Sequence, residues 1–563
     1  MAGGLLNLIA IGNQNTILTG NPTKSFFKSR YVKYTNFGLQ KYRIDQIGQK
    51  QLSLNQKSYY SFKILRYGDL LMDVYLAITL PDIWSPIIKK NNKYMPYEFC
   101  WIKNIGCQII EEVTFTIGGH IIQKFSGNYL QNQVERDFDN NKRELFNLMT
   151  GNTKELYDPA NYSNRNNNYP NAFKINDNSN NLIEPSIHSK QLLIPVNTWF
   201  SLMSTMALPL ICLQYSEMEI NFTLKPLVNL FTIKDVNYDL NSNIVSYNNI
   251  PRICADQNIS EYGFYRFIRE PPVREISGSY QYQDTRTSIN SDIHLITTQC
   301  FLDEEERVLF ANNTQNYLIK EVYEYRFERI SKSNKIKLES NGLVNNWMWY
   351  FQRDDVFKRN EWSNYTNWPY EDIIPNDLKK LTYQEYDLSY VFYLQNDLYS
   401  INDISKNIYI TGDRGNIYQQ NNIKNIMKDF GIICDGKYRE NVMAEGIFSK
   451  IEKYNRTNGS IKEGLYTYNF GIYNDPFKQQ PCGAFNTNKF KSIEFEYNNY
   501  QNPPIDPSGA NEQAICDPQT GDLIGVIKDP TDMYKYNYNL IVMEERYNIL
   551  QFQSGMADLV YSR

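Results

Sequence analysis

Between Glu217 and Leu224 the chain alternates strictly, with Met218, Ile220, Phe222 and Leu224 apolar and Glu217, Glu219, Asn221 and Thr223 polar. A period of two sends successive side chains to opposite faces of an extended backbone, so this stretch is a strand with one buried and one wet face. The signature recurs. Ser58 to Leu80 alternates on either side of the turn Tyr67-Gly68-Asp69 and stops at Pro81, which reads as two strands. Val113, Phe115 and Ile117 lead into Gly118-Gly119, which supplies the positive φ angles of a tight turn, and Ile121 and Ile122 begin the return strand of a hairpin. Aromatic residues make up 14% of the chain, a bias that suits pleated, half-buried surfaces. At 563 residues the chain exceeds the roughly 250–300 that one core sustains, so two β domains are expected.

The second half carries its own strands at His294–Leu302, Tyr317–Phe327, Ile336–Gln352 and Gly464–Phe470, the last with an aromatic face of Tyr466, Tyr468 and Phe470. GLVNNWMWYFQ from Gly342 echoes GDLLMDVYLAI from Gly68, consistent with a duplicated unit. Helices are few. Leu130, Val134, Phe138, Leu145 and Leu148 fall at helical spacing before the stop at Gly151, and Asp303 with Glu306 three residues on has the form of a capping box opening a short helix. Asn152–Asn181, rich in Asn, Tyr, Ser and Asp, reads as a long surface loop. In a long insertion after Arg353, Trp362, Tyr365 and Trp368 are expected to pack locally.

Chemistry is sparse. Net charge is −4 with no long basic run, which argues against direct coating of nucleic acid. The 8 Cys form no C-x-x-C pair and read as free thiols of a reducing compartment. His120, His188 and His294 are too few and too scattered for a His-rich metal centre or a triad. In GNPTKS, Gly20 and Lys24 are too far apart for a phosphate-binding loop, and Glu111 and Glu112, adjacent on a strand, point to opposite faces as a solvated edge. No segment reaches the roughly 20 apolar residues of a membrane-spanning helix. We therefore assign no catalytic, cofactor-binding or metal-ligating residue and do not expect an enzyme. Sequons at Asn161, Asn258, Asn364 and Asn455 are candidate glycosylation sites.

The amino terminus differs from the rest. Leu5, Leu6, Leu8, Ile9 and Ile11 form an apolar run that ends at Gly12; a turn at Gly20-Asn21-Pro22 follows, and Phe26, Phe27, Tyr31, Val32 and Tyr34 begin strand-like sequence. The residues alone leave open whether this arm folds back on its own domain or anchors in a neighbour. Gly3–Leu6, Leu18–Pro22 and Phe26–Lys28 resemble the opening of the major capsid proteins of nucleocytoplasmic large DNA viruses. Further matches follow in order: Arg66, Gly68, Asp69, Leu70, Leu80 and Pro81; Trp101 and Gly106; Ile117–Gly119; Ala207–Leu210 with Leu213, Gln214, Tyr215 and Glu217; Leu302, Asp303, Glu305, Glu306, Arg307, Phe310 and Ala311; Gln480, Pro481, Gly483 and Asn486; and Asn548, Leu550, Ser554–Ala557 and Tyr561. Ser216 stands where the family often has His, and Cys482 where it has Ser.

With the resemblance, the reading is an all-β chain of two consecutive eight-stranded jelly rolls with short helices and long loops. The expected division is an arm over 1–23, a first roll over 24–226, an interdomain connection over 227–286 and a second roll over 287–563 with an insertion at about 353–440. The resemblance implies a homotrimeric, pseudo-hexagonal capsomer tiling an icosahedral shell, made in the host cytoplasm and incorporated into the virion capsid. Its implied partners are neighbouring capsomers, minor capsid and penton proteins and an internal virion membrane, with Leu5, Leu6, Leu8, Ile9 and Ile11 contacting the neighbours. The Asn-, Lys-, Ile- and Tyr-rich usage suggests an AT-rich genome, and the insertion RNEWSNYTNWPYE leans toward the mimivirus-like branch. The alternative is a carbohydrate-binding β-sandwich, a spike or fibre head.

Overall fold

The computed structural model describes residues 3–561 except 47, 49–50, 91–92, 173–183, 235–251, 256, 258–261, 272–275, 278–280, 331–332, 373–423, 479, 501–511, 517–522 and 529–535. Eight strands build the first unit: β1 (Phe37–Asp45), β2 (Ser58–Lys63), β3 (Leu70–Leu80), β4 (Ile110–Ile117), β5 (His120–Phe125), β6 (Lys190–Pro195), β7 (Met218–Leu224) and β8 (His294–Leu302). They form two antiparallel sheets with spatial orders β1-β8-β3-β6 and β2-β7-β4-β5. The second unit repeats the plan with β9 (Gln315–Ile330), β10 (Ser333–Lys337), β11 (Leu343–Arg353), β12 (Met427–Cys434), β13 (Lys437–Ala444), β14 (Leu465–Asn469), β15 (Ile493–Asn499) and β16 (Tyr538–Gln553). Its sheets run β9-β16-β11-β14 and β10-β15-β12-β13. In each unit the first strand pairs with the eighth and the second with the seventh, the nested Greek-key connection of a jelly roll. The echoing segments are β3 and β11, the third strand of each roll.

Burial follows the alternation where a sheet has one dry face. Tyr60 and Phe62 of β2 and Met218, Ile220, Phe222 and Leu224 of β7 point into the first sandwich, and Ile493, Phe495 and Tyr497 of β15 into the second. At the β4–β5 turn, Gly118 and Gly119 have φ of 58° and 83°, a region that a β-branched residue enters only at a cost. β11 and β16 depart from this pattern because they are buried on both faces. Trp347, Trp349 and Phe351 fill the second sandwich, where Trp349 stacks on Phe430 with centroids 4.3 Å apart, while the intervening Met348 and Tyr350 join the hydrophobic core of the first roll.

Several expectations need correction. β8, expected to open the second roll, is hydrogen-bonded between β1 and β3 of the first, from Phe37 opposite Leu302 to Asp45 opposite His294. The described residues of 227–286 therefore lie between two strands of one roll rather than between the two rolls. Leu227, Phe231, Tyr262, Phe264 and Phe267 are buried in the first core, and Phe231–Lys234 pairs with Phe99–Trp101. The insertion after β11 ends before Met427, since Met427–Cys434 and Lys437–Ala444 are sheet strands. Asn152–Asn181 is not wholly loop: Lys154–Tyr157 and Pro159–Asn164 make helical turns that bury Leu156 and Ala160, and residues 173–181 lie outside the described part. The strand-like residues Phe26–Tyr34 join no strand.

Two helices, α1 (Gly127–Asp137) and α2 (Asn140–Thr150), follow β5. Ser126 caps α1 by accepting from the Tyr129 amide at 3.2 Å, and Asp139 caps α2 by accepting from Lys142 at 2.9 Å. Gly127 is required by closeness: a Cβ there would lie 1.9 Å from the Cys107 carbonyl oxygen. Leu145 and Leu148, predicted to share the buried stripe, are exposed, and α2 buries Phe146 and Thr150. A third helix, α3 (Glu304–Asn312), starts at Asp303. The capping box does not close there; the Asp303 carboxylate accepts from the Glu304 amide at 2.8 Å.

Candidate assembly surfaces

Two surfaces have the character that assembly requires, one outside the rolls and one between them. Outside lies the arm. Gly3–Ile9 is a helical segment that buries none of its residues, and Leu5, Leu6, Leu8, Ile9 and Ile11 are all exposed, as are Ile17, Leu18, Phe26, Phe27, Tyr31, Val32 and Tyr34. Such a row of water-facing apolar side chains is an exposed hydrophobic patch of the kind found at interaction sites. The segment that follows the arm is basic: Lys24, Lys28, Arg30 and Lys33 precede the first carboxylate of the chain at Asp45.

The second surface is the seam where α1 lies on the sheet formed by β9, β16 and β11. Nearly every face of α1 is buried, including the side chains of Gln131, Asn132, Arg136 and Asp137. Arg136 donates to Asp137 through Nε at 2.7 Å and Nη2 at 2.6 Å, to Glu545 Oε1 at 2.6 Å and to Asn346 Oδ1 at 2.7 Å. Glu545 also accepts from Tyr129 OH at 3.0 Å and Asn346 Nδ2 at 2.7 Å, and Asn474 Nδ2 donates to Asp137 Oδ1 at 3.0 Å. Burial alone would raise the Glu545 carboxyl, but Arg136, Lys320 and its hydrogen bonds outweigh that and lower it below its ordinary value. Burial likewise opposes the charge on Arg136, yet Asp137 and Glu545 raise its pKa; on Asp137 burial outweighs Arg136 and pushes the carboxyl above its ordinary value, so it is the Arg136–Glu545 pair that is held charged. For Tyr129 burial and the adjacent Glu545 both push the phenol upward, keeping it a donor.

The segment after β11 adds to the seam and corrects the expectation of local packing. Asn360 Nδ2 donates to the carbonyls of Val228 and Phe231, both at 2.8 Å, and Trp362 Nε1 to that of Asn229 at 2.9 Å. Tyr365 stacks on Tyr350 with centroids 3.8 Å apart and donates to Asn132 Oδ1 of α1 at 3.1 Å. Trp368 makes both a local and a distant contact, its carbonyl accepting from Asn364 and its ring lying 4.7 Å from Lys424 Nζ. A second bridge ties Asp69 to α3: its carboxylate accepts from the Leu302 amide at 2.9 Å and pairs with Arg307 at 3.1 Å.

The candidate sequons separate by burial. Asn161 and Asn455 are exposed, Asn258 lies outside the described residues, and Asn364 is 1% exposed with its amide engaged by Thr366 and Trp368. Glu111 and Glu112 each hold a lysine, Lys57 at 2.7 Å and Lys124 at 2.8 Å, as a solvated edge does. His120 and His188 are exposed, whereas His294 is buried with Nδ1 3.0 Å from the Asp292 carbonyl. The seam residues were not legible in the sequence. Polar side chains on α1 read as a wet face until the second roll covers them, and the run Gln131-Asn132-Gln133 carries no periodic signal.

Residues 25–268 match the family described as the major capsid protein N-terminus, and residues 306–558 match the large eukaryotic DNA virus major capsid protein. The chain belongs to this major capsid protein family. Among curated relatives, capsid protein 1 of Acanthamoeba polyphaga mimivirus is 29% identical over 70% of this chain and 56% of its own length. The major capsid protein of Paramecium bursaria Chlorella virus 1 is 24% identical over 100% of both chains. The capsid protein thus spans little more than half the length of the mimivirus relative. Among solved structures, the PBCV-1 virus capsid has a TM-score of 0.58 at 19% identity, covering 96% of this chain and 100% of that one. The Faustovirus major capsid protein has a TM-score of 0.59 at 10% identity over 98% and 96%. These likenesses agree with the double jelly roll seen in the strand order. Membership of this family favours the capsid reading over the carbohydrate-binding alternative.

Proposed function

We propose that this capsid protein forms a homotrimeric capsomer in which three copies of the paired rolls give a pseudo-hexagonal block that tiles an icosahedral shell beside neighbouring capsomers. The observation that carries this reading is the seam. Two rolls of the same strand order are joined by a buried ion pair and shared aromatic packing, so each copy supplies two similar faces as one rigid unit. The division that suits this role is a first roll over 37–302 and a second over 315–559. Leu5, Leu6, Leu8, Ile9 and Ile11 are proposed to dock on neighbouring or minor capsid proteins, penton proteins included, on the side facing an internal membrane. Synthesis in the host cytoplasm fits the free thiols described at seven cysteines. Glycosylation, where it occurs, is proposed at Asn161 and Asn455.

Light scattering of the purified chain tests the trimer. The expected species is about 199 kDa, three copies of the 66.3 kDa chain, stable to dilution; a 66.3 kDa monomer at all concentrations overturns it. Deletion of residues 1–22 is expected to leave that trimer folded, since none of the described side chains there is buried, and to impair assembly of trimers into shells. Loss of the trimer on deletion would place the arm within the capsomer.

A further inference from the structure

Beside the Arg136–Glu545 pair, the seam contains a polar cleft of about 40 Å³. Four of its lining side chains, each at least nine-tenths buried, present a polar atom that has no hydrogen-bond partner: the carbonyl oxygens of Gln123 and Gln133, the amide nitrogen of Asn197 and the indole nitrogen of Trp199. Their positions are fixed by other contacts. Gln123 donates through Nε2 to the Lys320 carbonyl at 3.2 Å, and the Trp199 ring packs edge-on against Phe115 and Phe200 at 5.3 and 5.2 Å. A protein interior does not leave two acceptors and two donors unpaired around one cavity.

We infer that the cleft, which lies where the two rolls meet, binds a cluster of ordered water molecules anchored on the first roll. The chemistry of the walls selects the ligand. Arg136 and Lys320 offset Asp137 and Glu545, and at the mouth Lys478 lies 3.5 Å from Asp475, so the cleft has no unbalanced charge for an ion to neutralise. A neutral hydroxyl both donates and accepts, which is what a site with two acceptors and two donors needs. A water occupies about 10–15 Å³ of such a volume, so the cleft holds roughly three. The waters donate to Gln123 and Gln133, accept from Asn197 and Trp199, and extend the polar network from the first roll toward Lys320 and Glu545. The seam is therefore partly wet, with the water acting as a fixed part of the joint between rolls.

A cryo-electron microscopy map of the full-length protein, at a resolution that shows other buried waters, tests the site directly. Separate density peaks within hydrogen-bond distance of Trp199 Nε1, Asn197 Nδ2 and the two glutamine carbonyls are expected. An empty cleft, or continuous density larger than water, overturns the inference. Gln133→Met gives an independent readout because it conserves volume and removes the carbonyl. If the waters are present they lose an acceptor and the thermal midpoint falls; if the cleft is dry, an unpaired polar group is deleted and the midpoint is unchanged or rises, which overturns the inference.

Discussion

Arg136 is the residue whose loss the seam should tolerate least. Arg136→Ala removes hydrogen bonds to Asp137, Glu545 and Asn346 and leaves two carboxylates buried at the same place, with Lys320 Nζ 3.7 Å from Glu545 as the remaining nearby cation. Breaking a buried ion pair by deleting one partner costs about 3–5 kcal/mol, a large share of ordinary domain stability. The cost should depend on pH in a defined direction. In the intact protein the folded-state pKa of Glu545 is held down, to about 2 from 4.5, so its contribution is fully present above 4.5 and is lost only as pH falls from there toward 2. Without Arg136 the same buried carboxyl loses the strongest influence holding it down, so its pKa rises relative to the intact protein and acid relieves the strain sooner. The variant should therefore be about 3–5 kcal/mol less stable at pH 7, with the gap narrowing by pH 5. Urea unfolding followed by tryptophan fluorescence reads both, since Trp347 and Trp349 report the second roll and Trp101 and Trp199 the first. Splitting of one transition into two would show the rolls uncoupled. Arg136→Met combined with Asp137→Asn and Glu545→Gln should recover much of the loss, because no unpaired charge remains buried. A loss below about 1 kcal/mol at pH 7, or a gap unchanged between pH 7 and 5, would refute the reasoning.

Tyr365→Ala should destabilise by about 3–5 kcal/mol through loss of the stack on Tyr350 and the bond to Asn132, measured by the same unfolding curves; a change within about 0.5 kcal/mol would mean that this segment does not hold the seam. Gly119→Val should cost about 1–2 kcal/mol without abolishing the fold, because φ is 83° but nothing lies within 4 Å of the added Cβ, and an unchanged melting temperature would contradict the turn. Intact-mass analysis of protein made in glycosylating cells should find no glycan on Asn364, with any occupancy confined to exposed sequons such as Asn161 and Asn455; a glycan on Asn364 would show that its buried Asx turn opens.

The amino-acid sequence determined the elements of this protein. Alternation in β7 matches the buried face residue for residue, Gly118-Gly119 makes the predicted turn, and the echo of β3 in β11 marks the same strand of two rolls. These features are local: a two-residue period, or a turn that requires positive φ, is set by neighbours a few positions away. Tertiary structure alone decided the partners. Nothing within His294–Leu302 says that it pairs with β1, some 250 residues earlier in the chain, and the strand reads equally well as the start of a new roll. Trp362 and Tyr365 look like a local aromatic cluster until the Asn229 carbonyl and the Tyr350 ring arrive from elsewhere. The polar side of α1 is the sharpest case. Arg136 and Asp137 have the sequence character of a solvated helix face, and they are buried only because a second roll, with Glu545 and Asn346 in the right places, covers them. A hydrophobic pattern records whether a side chain leaves water; which distant carboxylate or carbonyl meets a buried polar group is fixed only when the rolls close on one another.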